Sequence, residues 1–330
     1  MTALLEGIDK YAVTATRLHP RPGTPDPRAS HIGGPLLWPG DEPWPTCDAE
    51  HVLAAETPIP PALLARIRAA DPAKGWPGYA EAIAELASQT PGFVGINRAT
   101  GSALGYTVQP QRAPSPLVAV AQLRVTDIRD LCPPGDADIL QVLWCPNDHD
   151  IGAESYAPAV ALRWRREANL AVVPDRPPSP TVVGETAYLP RPCVLHPEQV
   201  VEYPWWQDLP AELGQQVRAW DLEHDGLYHR QLSTAPGWKV GGWPPWPTTD
   251  PVPMYCISCA APMRQLLQID SGEWGDPQRW RPLEEDHVDA ATAEYADAAE
   301  PTGVVVGRTG LYRIFHCPRC PDAPIRVDLQ

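Results

Sequence analysis

Apolar and polar positions alternate in several short stretches and recur at three and four in others, so the chain reads as strands decorated by a few helices. Period two runs through Pro116-Leu-Val-Ala-Val-Ala-Gln122-Leu, Ile139-Leu-Gln-Val-Leu-Trp-Cys145, Ala159-Val-Ala-Leu-Arg163-Trp-Arg165-Arg166, Pro262-Met-Arg-Gln-Leu-Leu-Gln268-Ile and Leu311-Tyr-Arg-Ile-Phe-His-Cys317. Helical spacing predicts short helices at 61–70 and 79–87, a helix from Asp208 at its N-cap through Pro210 to Leu222, and one solvated helix over 282–300. The segment 174–180, Pro-Asp-Arg-Pro-Pro-Ser-Pro, reads as a linker.

A repeat organises these elements. Ile32-Gly33-Gly34-Pro35-Leu-Leu-Trp38-Pro39 matches Val240-Gly241-Gly242-Trp243-Pro-Pro-Trp246-Pro247 at Gly-Gly and Trp-Pro. In each case a strand ending in Gln-aliphatic follows (Gln122, Gln268), then a strand running into Cys-Pro (Cys145, Cys317). The expectation is an α+β, β-rich fold of two pseudo-duplicated, strand-dominated halves, 1–176 and 177–330, with a few peripheral helices. The first half carries a helical insertion at about 52–112.

Composition narrows the class. With 43 prolines and 24 glycines among 330 residues, long helical bundles are excluded, and 13 tryptophans indicate a folded core. The 41 acidic against 26 basic side chains, net −15, disfavour capture of nucleic acid or of an anionic membrane. The one compact basic stretch, Arg163, Arg165 and Arg166, falls on the polar positions of a strand. No apolar run reaches the roughly 18 residues that a membrane span needs, and the first residues lack the pattern of a signal peptide, so a cytoplasmic protein is expected.

In a reducing compartment, clustered cysteines among the eight point to metal or catalysis before disulfides. Cys256-Ile-Ser-Cys259 and Cys317-Pro-Arg-Cys320 are two Cys-x-x-Cys turns, which together complete a tetrahedral zinc shell. Residues 260 to 316 separate them, far more than a zinc-ribbon loop, so a sheet must bring the turns together. A redox pair would instead open a helix after a strand, whereas Cys317 ends one and is followed by proline. In the first half, Cys47 with His51 and Cys145 with His149 occupy the comparable places. They form either a second, Cys2His2 zinc site or the remnant of one that lost its metal. One structural zinc is expected and a second is possible.

The run Lys239-Val-Gly-Gly-Trp-Pro-Pro-Trp, then Cys-Ile-Ser-Cys-Ala-Ala-Pro-Met-Arg-Gln-Leu-Leu-Gln-Ile, then Leu-Tyr-Arg-Ile-Phe-His-Cys-Pro-Arg-Cys resembles the programmed cell death protein 2 domain. Leu266-Leu-Gln-Ile-Asp-Ser and Trp274-Gly-Asp resemble the bacterial YwqG-like proteins, which commonly lack the cysteines. The resemblance implies a β-rich pseudo-duplicated fold with zinc held by paired cysteines. It also implies a non-enzymatic, chaperone-like role toward a basic client such as a ribosomal protein, or an immunity role against a cognate toxin.

The acidic surplus suits a basic protein client, and Trp38, Trp44, Trp243 and Trp246 in proline-framed loops are either contact anchors for it or ordinary turn packing. The enzymatic alternative is a zinc-dependent hydrolase or deaminase, since His196-Pro-Glu198 matches half of a deaminase pattern. Neither cysteine pair has the proline in front that the pattern requires, and a four-cysteine shell leaves no position for water. Cys193 and His196 are three apart on an extended segment and so face opposite sides. No nucleophile elbow, Walker loop or dinucleotide fingerprint is present.

Overall fold

In the computed structural model the residues described are 7–69, 77–97, 100–109, 114–152, 155–170, 177–274, 280–307, 310–320, 322 and 324–330. The first part of the expected linker, 174–176, and the Gly275-Asp276 of the YwqG-like match lie outside them. The strands in chain order are β1 (Val13–Arg17), β2 (Arg21–Pro22), β3 (His31–Ile32), β4 (Thr46–Cys47), β5 (His51–Thr57), β6 (Phe93–Ile96), β7 (Ala103–Gln109), β8 (Ser115–Pro116), β9 (Val118–Arg124), β10 (Ile139–Gly152) and β11 (Ser155–Arg165). They continue with β12 (Cys193–Val194), β13 (Glu198–Glu202), β14 (Lys239–Gly241), β15 (Arg264–Asp270), β16 (Leu311–His316) and β17 (Arg326–Leu329). The α-helices are α1 (Pro61–Ala69), α2 (Tyr79–Gln89), α3 (Ala211–Glu223) and α4 (Ala293–Ala299). The fold is strand-rich with a few short helices.

Two antiparallel sheets carry the molecule. One runs β13-β1-β14-β15-β16-β17; the other runs β2-β12-β3-β9-β10-β5-β7-β6, with β11 also on β10. Two strands cross over: β1, from the start of the chain, lies between β13 and β14, and β12 lies between β2 and β3. The sheets share one core, in which Leu18, Ile32, Val120, Leu140, Val142 and Trp144 meet Trp238, Val240, Leu266, Ile269, Tyr312 and Ile314. Strand alternation explains that face: Leu140, Val142 and Trp144 point inward from β10, and Tyr312 and Ile314 from β16.

The outer faces of the sheets matter most for the site. On β10 they carry Leu143 and Cys145, under Trp38; on β16 they carry Phe315, next to Cys317, under Trp246. Both central strand pairs hold the same register and the same irregularity. Ala121 faces Val142 and Ala119 faces Leu143, skipping Val120; Leu267 faces Ile314 and Gln265 faces Phe315, skipping Leu266. Each bulge puts its extra residue on the neighbouring strand, β9 or β15, opposite the step that leads into Cys145 or Cys317.

Several local expectations change. The segment 52–112 carries α1 and α2, whose Leu63, Ile67, Ala82 and Leu86 pack with Ala103, but it also supplies β5, β6 and β7, which extend a sheet. Asp208 is not an N-cap: it ends a short 3-10 turn, Pro210 occupies the cap, and the carboxyl is buried. The helix expected over 282–300 is a 3-10 turn at Leu283–Glu285 and the short α4, because Asp289 accepts the Ala291 N–H and turns the chain between them.

Candidate metal centres

The Gly-Gly turns set the loops that deliver the cysteines. Gly242 has φ +72°, and a Cβ there would collide with the Glu202 carboxylate and lie 2.8 Å from Ala15 Cβ, so only glycine fits. From each turn the chain passes through its Trp-Pro loop to the outer face of its own sheet.

The first centre brings together Cys47, His51, Cys145 and His149, all buried. Cys47 ends β4, His51 opens β5, and Cys145 and His149 both belong to β10. The β10–β11 register shifts between Trp144 and Asp148, so Cys145 falls inside an irregular step and His149 just beyond it. Cys145 Sγ lies 3.3 Å from His51 Nε2, and Cys47 Sγ lies 3.8 Å from His149 Nε2. Zinc bonds of about 2.3 Å to sulfur and 2.0–2.1 Å to nitrogen give a tetrahedral sulfur–nitrogen edge of about 3.6 Å, which these distances bracket. The imidazoles meet edge to face with centroids 4.9 Å apart.

Its electrostatics suit a cation. Burial lowers both histidines, His149 to about 4 with His51 adding to the effect, so the rings stay neutral and keep a lone pair. Burial likewise pushes the Cys145 thiol up to about 12, against the pull of Asn147 and with a further push from Cys47. A bound cation inverts that balance by stabilising the thiolate. Asn147 Nδ2 donates to Cys145 Sγ at 3.3 Å and to the Val182 carbonyl at 3.3 Å, and His149 is hydrogen-bonded to the Glu50 main chain. Such partners orient ligands.

The second centre gathers Cys256, Cys259, Cys317 and Cys320. Residues 255 to 262 form a tight hairpin in which Cys256 N–H donates to Ala261 O at 2.9 Å and Ala260 N–H returns to Cys256 O at 2.8 Å; Ala260 takes φ +55°. Cys317 follows β16 directly. Cys259 and Cys317 sulfurs are 3.7 Å apart, the edge of a tetrahedral four-sulfur shell (about 3.8 Å) and far beyond a disulfide bond. Burial raises the Cys256 thiol, but main-chain N–H groups of Ser258 and Cys259 and the neighbouring thiols outweigh it and bring it down to about 7. Cys320, hydrogen-bonded to Cys259 and further raised by burial, stands at about 12. Both donor sets fit one tetrahedral ion.

The tryptophans divide. Trp38 and Trp246 are each 4% exposed, under Arg165 (4.8 Å) and Arg313 (4.0 Å), so turn packing, the second of their two readings, takes up these rings. Trp44 and Trp243 are half-buried and donate to the Leu117 and Tyr11 carbonyls. The basic stretch is matched by acids: Arg165 forms two bonds to Glu42 (2.6 and 2.7 Å), and Arg166 pairs with Asp136. His196 is exposed and belongs to neither metal cluster, while Cys193 is buried, its thiol raised to about 11 by burial.

Sequence reasoning missed Asn147, although it sits inside Cys145-Pro-Asn-Asp-His149. It also missed the buried ion pair of Lys239 with Glu202, although lysine is nearly absent from the chain. Among the described residues, no helix is long and apolar enough to cross a membrane. No known family model matches the chain, and no curated protein is detectably similar to it.

Proposed function

We propose that the protein is a zinc-stapled, internally duplicated binding module without catalytic activity, which captures a basic protein client in the manner of a dedicated chaperone. The observation that carries this reading is the pair of closed four-donor clusters at comparable places on the two sheets. Structural zinc takes four protein ligands, whereas catalytic zinc keeps one position for water or substrate. Cys47, His51, Cys145 and His149 would hold one ion, and Cys256, Cys259, Cys317 and Cys320 the other. Each ion would tie a Trp-Pro loop to its sheet.

Duplication is supported by hydrogen bonds as well as motifs. Gln122 Nε2 donates to the carbonyls of Pro27 and Ala29 (2.7 and 3.4 Å), just ahead of β3. Gln268 Nε2 donates to Ala235 and Gly237 (3.2 and 3.0 Å), just ahead of β14. His31 faces Gln122 and Lys239 faces Gln268 across the sheets. The client reading draws on the net charge of −15, which attracts a basic protein and raises its rate of encounter.

Metal analysis of protein purified without chelator, joined to affinity purification at native expression, tests the reading. Two zinc ions per chain, with Cys317→Ser reducing the count to one and His149→Ala doing the same at the other centre, is the expected result. A co-purifying basic protein of the ribosome supports chaperoning, and a toxin encoded nearby supports immunity instead. Metal-free wild-type protein overturns the zinc assignment.

A further inference from the structure

A cavity of about 320 Å³ opens between Trp205, Trp280, Pro245 and Pro247, with Gln268 and Asp270 at the end of β15 among its lining residues. None of the eight metal-cluster residues lines it, although Trp205 also packs with the cluster that holds Cys256 and Cys317. Among its polar lining residues, Gln268 and Asp270 come from the same strand.

Gln268 is fully buried, and its Oε1 has no partner. The other sheet shows why. There the Oε1 of Gln122 accepts the Leu37 N–H at 2.9 Å and Gln141 Nε2 at 3.2 Å. Proline 245 stands at the matching step of the second Trp-Pro loop and has no N–H to give. Arg313, at the β16 position that faces Gln268, turns its guanidinium to the Pro245 carbonyl and to Asp328. An orphaned buried acceptor is costly because it has given up water without gaining a donor. A donor arriving in the cavity removes that cost.

Asp270 adds charge to the same wall. Its carboxylate accepts the main-chain N–H groups of Gly237 and Gly272, both at 3.1 Å, and pairs with no cation among the described residues. Lys239 is held by both oxygens of Glu202 at 2.8 Å, and Arg17 by Glu273 and the Trp280 carbonyl. Arg230 lines the cavity, yet its guanidinium lies beside Gly226. His229 meets Trp205 edge to face at 4.2 Å, and burial favours its neutral form.

We propose that this cavity is a receptor for a guanidinium group, bound by Asp270 and Gln268 Oε1 and stacked on the indole of Trp205. A guanidinium is a planar fork of donors, more weakly hydrated than an ammonium, and it stacks on aromatic faces. Two acceptors beside tryptophan therefore select it over a lysine head. Resting on the proposed basic client, the occupant is an arginine side chain of that client; a free guanidino metabolite presents the same chemistry.

Calorimetric titration of the full-length, metal-loaded protein separates these cases. The probes are Nα-acetyl-L-arginine methylamide, its neutral citrulline counterpart and free L-arginine. The blocked arginine is expected to bind and the citrulline probe to bind at least tenfold more weakly. Asp270→Asn should weaken the blocked arginine about tenfold or more. Pro245→Leu, which restores to Gln268 the donor that Leu37 gives Gln122, should weaken it while leaving Asp270 in place, with metal content unchanged in both variants. Binding of free arginine but not of the blocked probe assigns the site to a metabolite and overturns the client arginine. No binding to wild type, or equal binding of the citrulline probe, overturns the receptor altogether. A client recovered equally by wild type and Asp270→Asn overturns this site while the client reading stands; wild type that binds the blocked arginine but recovers no client supports the site and sinks the client reading.

Discussion

Single residues decide how charge is stored in this molecule. Burial, only partly offset by two main-chain N–H groups and by Lys239, raises the Asp270 carboxyl to about 6; Glu273 nearby adds to the rise. The unfolded chain gives up this proton at about pH 4, so between about pH 4 and 6 the folded chain binds more protons than the unfolded one. Stability from this group is therefore complete below about pH 4 and falls as pH rises through 6, by up to about 3 kcal/mol. Asp270→Asn carries no such titration. In urea melts at pH 4 and pH 7, the variant should gain relative to wild type by that order on going to the higher pH; an unchanged difference would show that Asp270 titrates alike in both states. The chemistry of Cys256, Cys259, Cys317 and Cys320 was legible from residue spacing, because a Cys-x-x-Cys turn is local. The unpartnered oxygen of Gln268 was not, since it depends on what a distant loop fails to donate.

At the scale of elements, the short strand β14 is pinned by a buried pair. Lys239 Nζ bonds both oxygens of Glu202 and the Trp243 carbonyl, and Glu202 in turn accepts the N–H groups of Ala235 and Trp243. One ion pair thus joins β13, β14 and the Gly-Gly turn. Lys239→Met leaves a carboxylate buried without a counter-charge and should cost about 3–5 kcal/mol. Adding Glu202→Gln, which keeps an acceptor for the turn and removes the charge, should recover most of that loss. Chemical denaturation of the single and double variants checks this, and a double variant no better than the single would locate the loss in packing. Strands β9, β10, β15 and β16 were readable from period two because each buries one face in the shared core. The segment 282–300 misled because acidic, alanine-rich composition favours a helix locally, while Asp289 makes a competing turn.

On the scale of the whole molecule, the exchange of β1 and β12 makes the sheets interdependent. Residues 1–176 alone would leave β1 without its neighbours β13 and β14, and their own sheet without β12. Expressed separately, the two halves should be insoluble or unfolded; expressed together, they should co-purify as one complex with a single cooperative thermal transition. Independent folding of either half would show that the crossed strands add little. The sequence by itself determined the strand-rich character, the matched Gly-Gly, Trp-Pro and Cys-Pro steps, and the eight candidate ligands, because turns, alternation and short metal motifs depend on residues near one another in the chain. Only the tertiary structure decided that β1 and β12 cross between sheets, that Trp38 and Trp246 are packed under arginines, and that Gln268 keeps an acceptor without a partner. Those features arise where segments far apart in sequence meet, and no local pattern encodes the hydrogen bond that a remote neighbour does or does not supply.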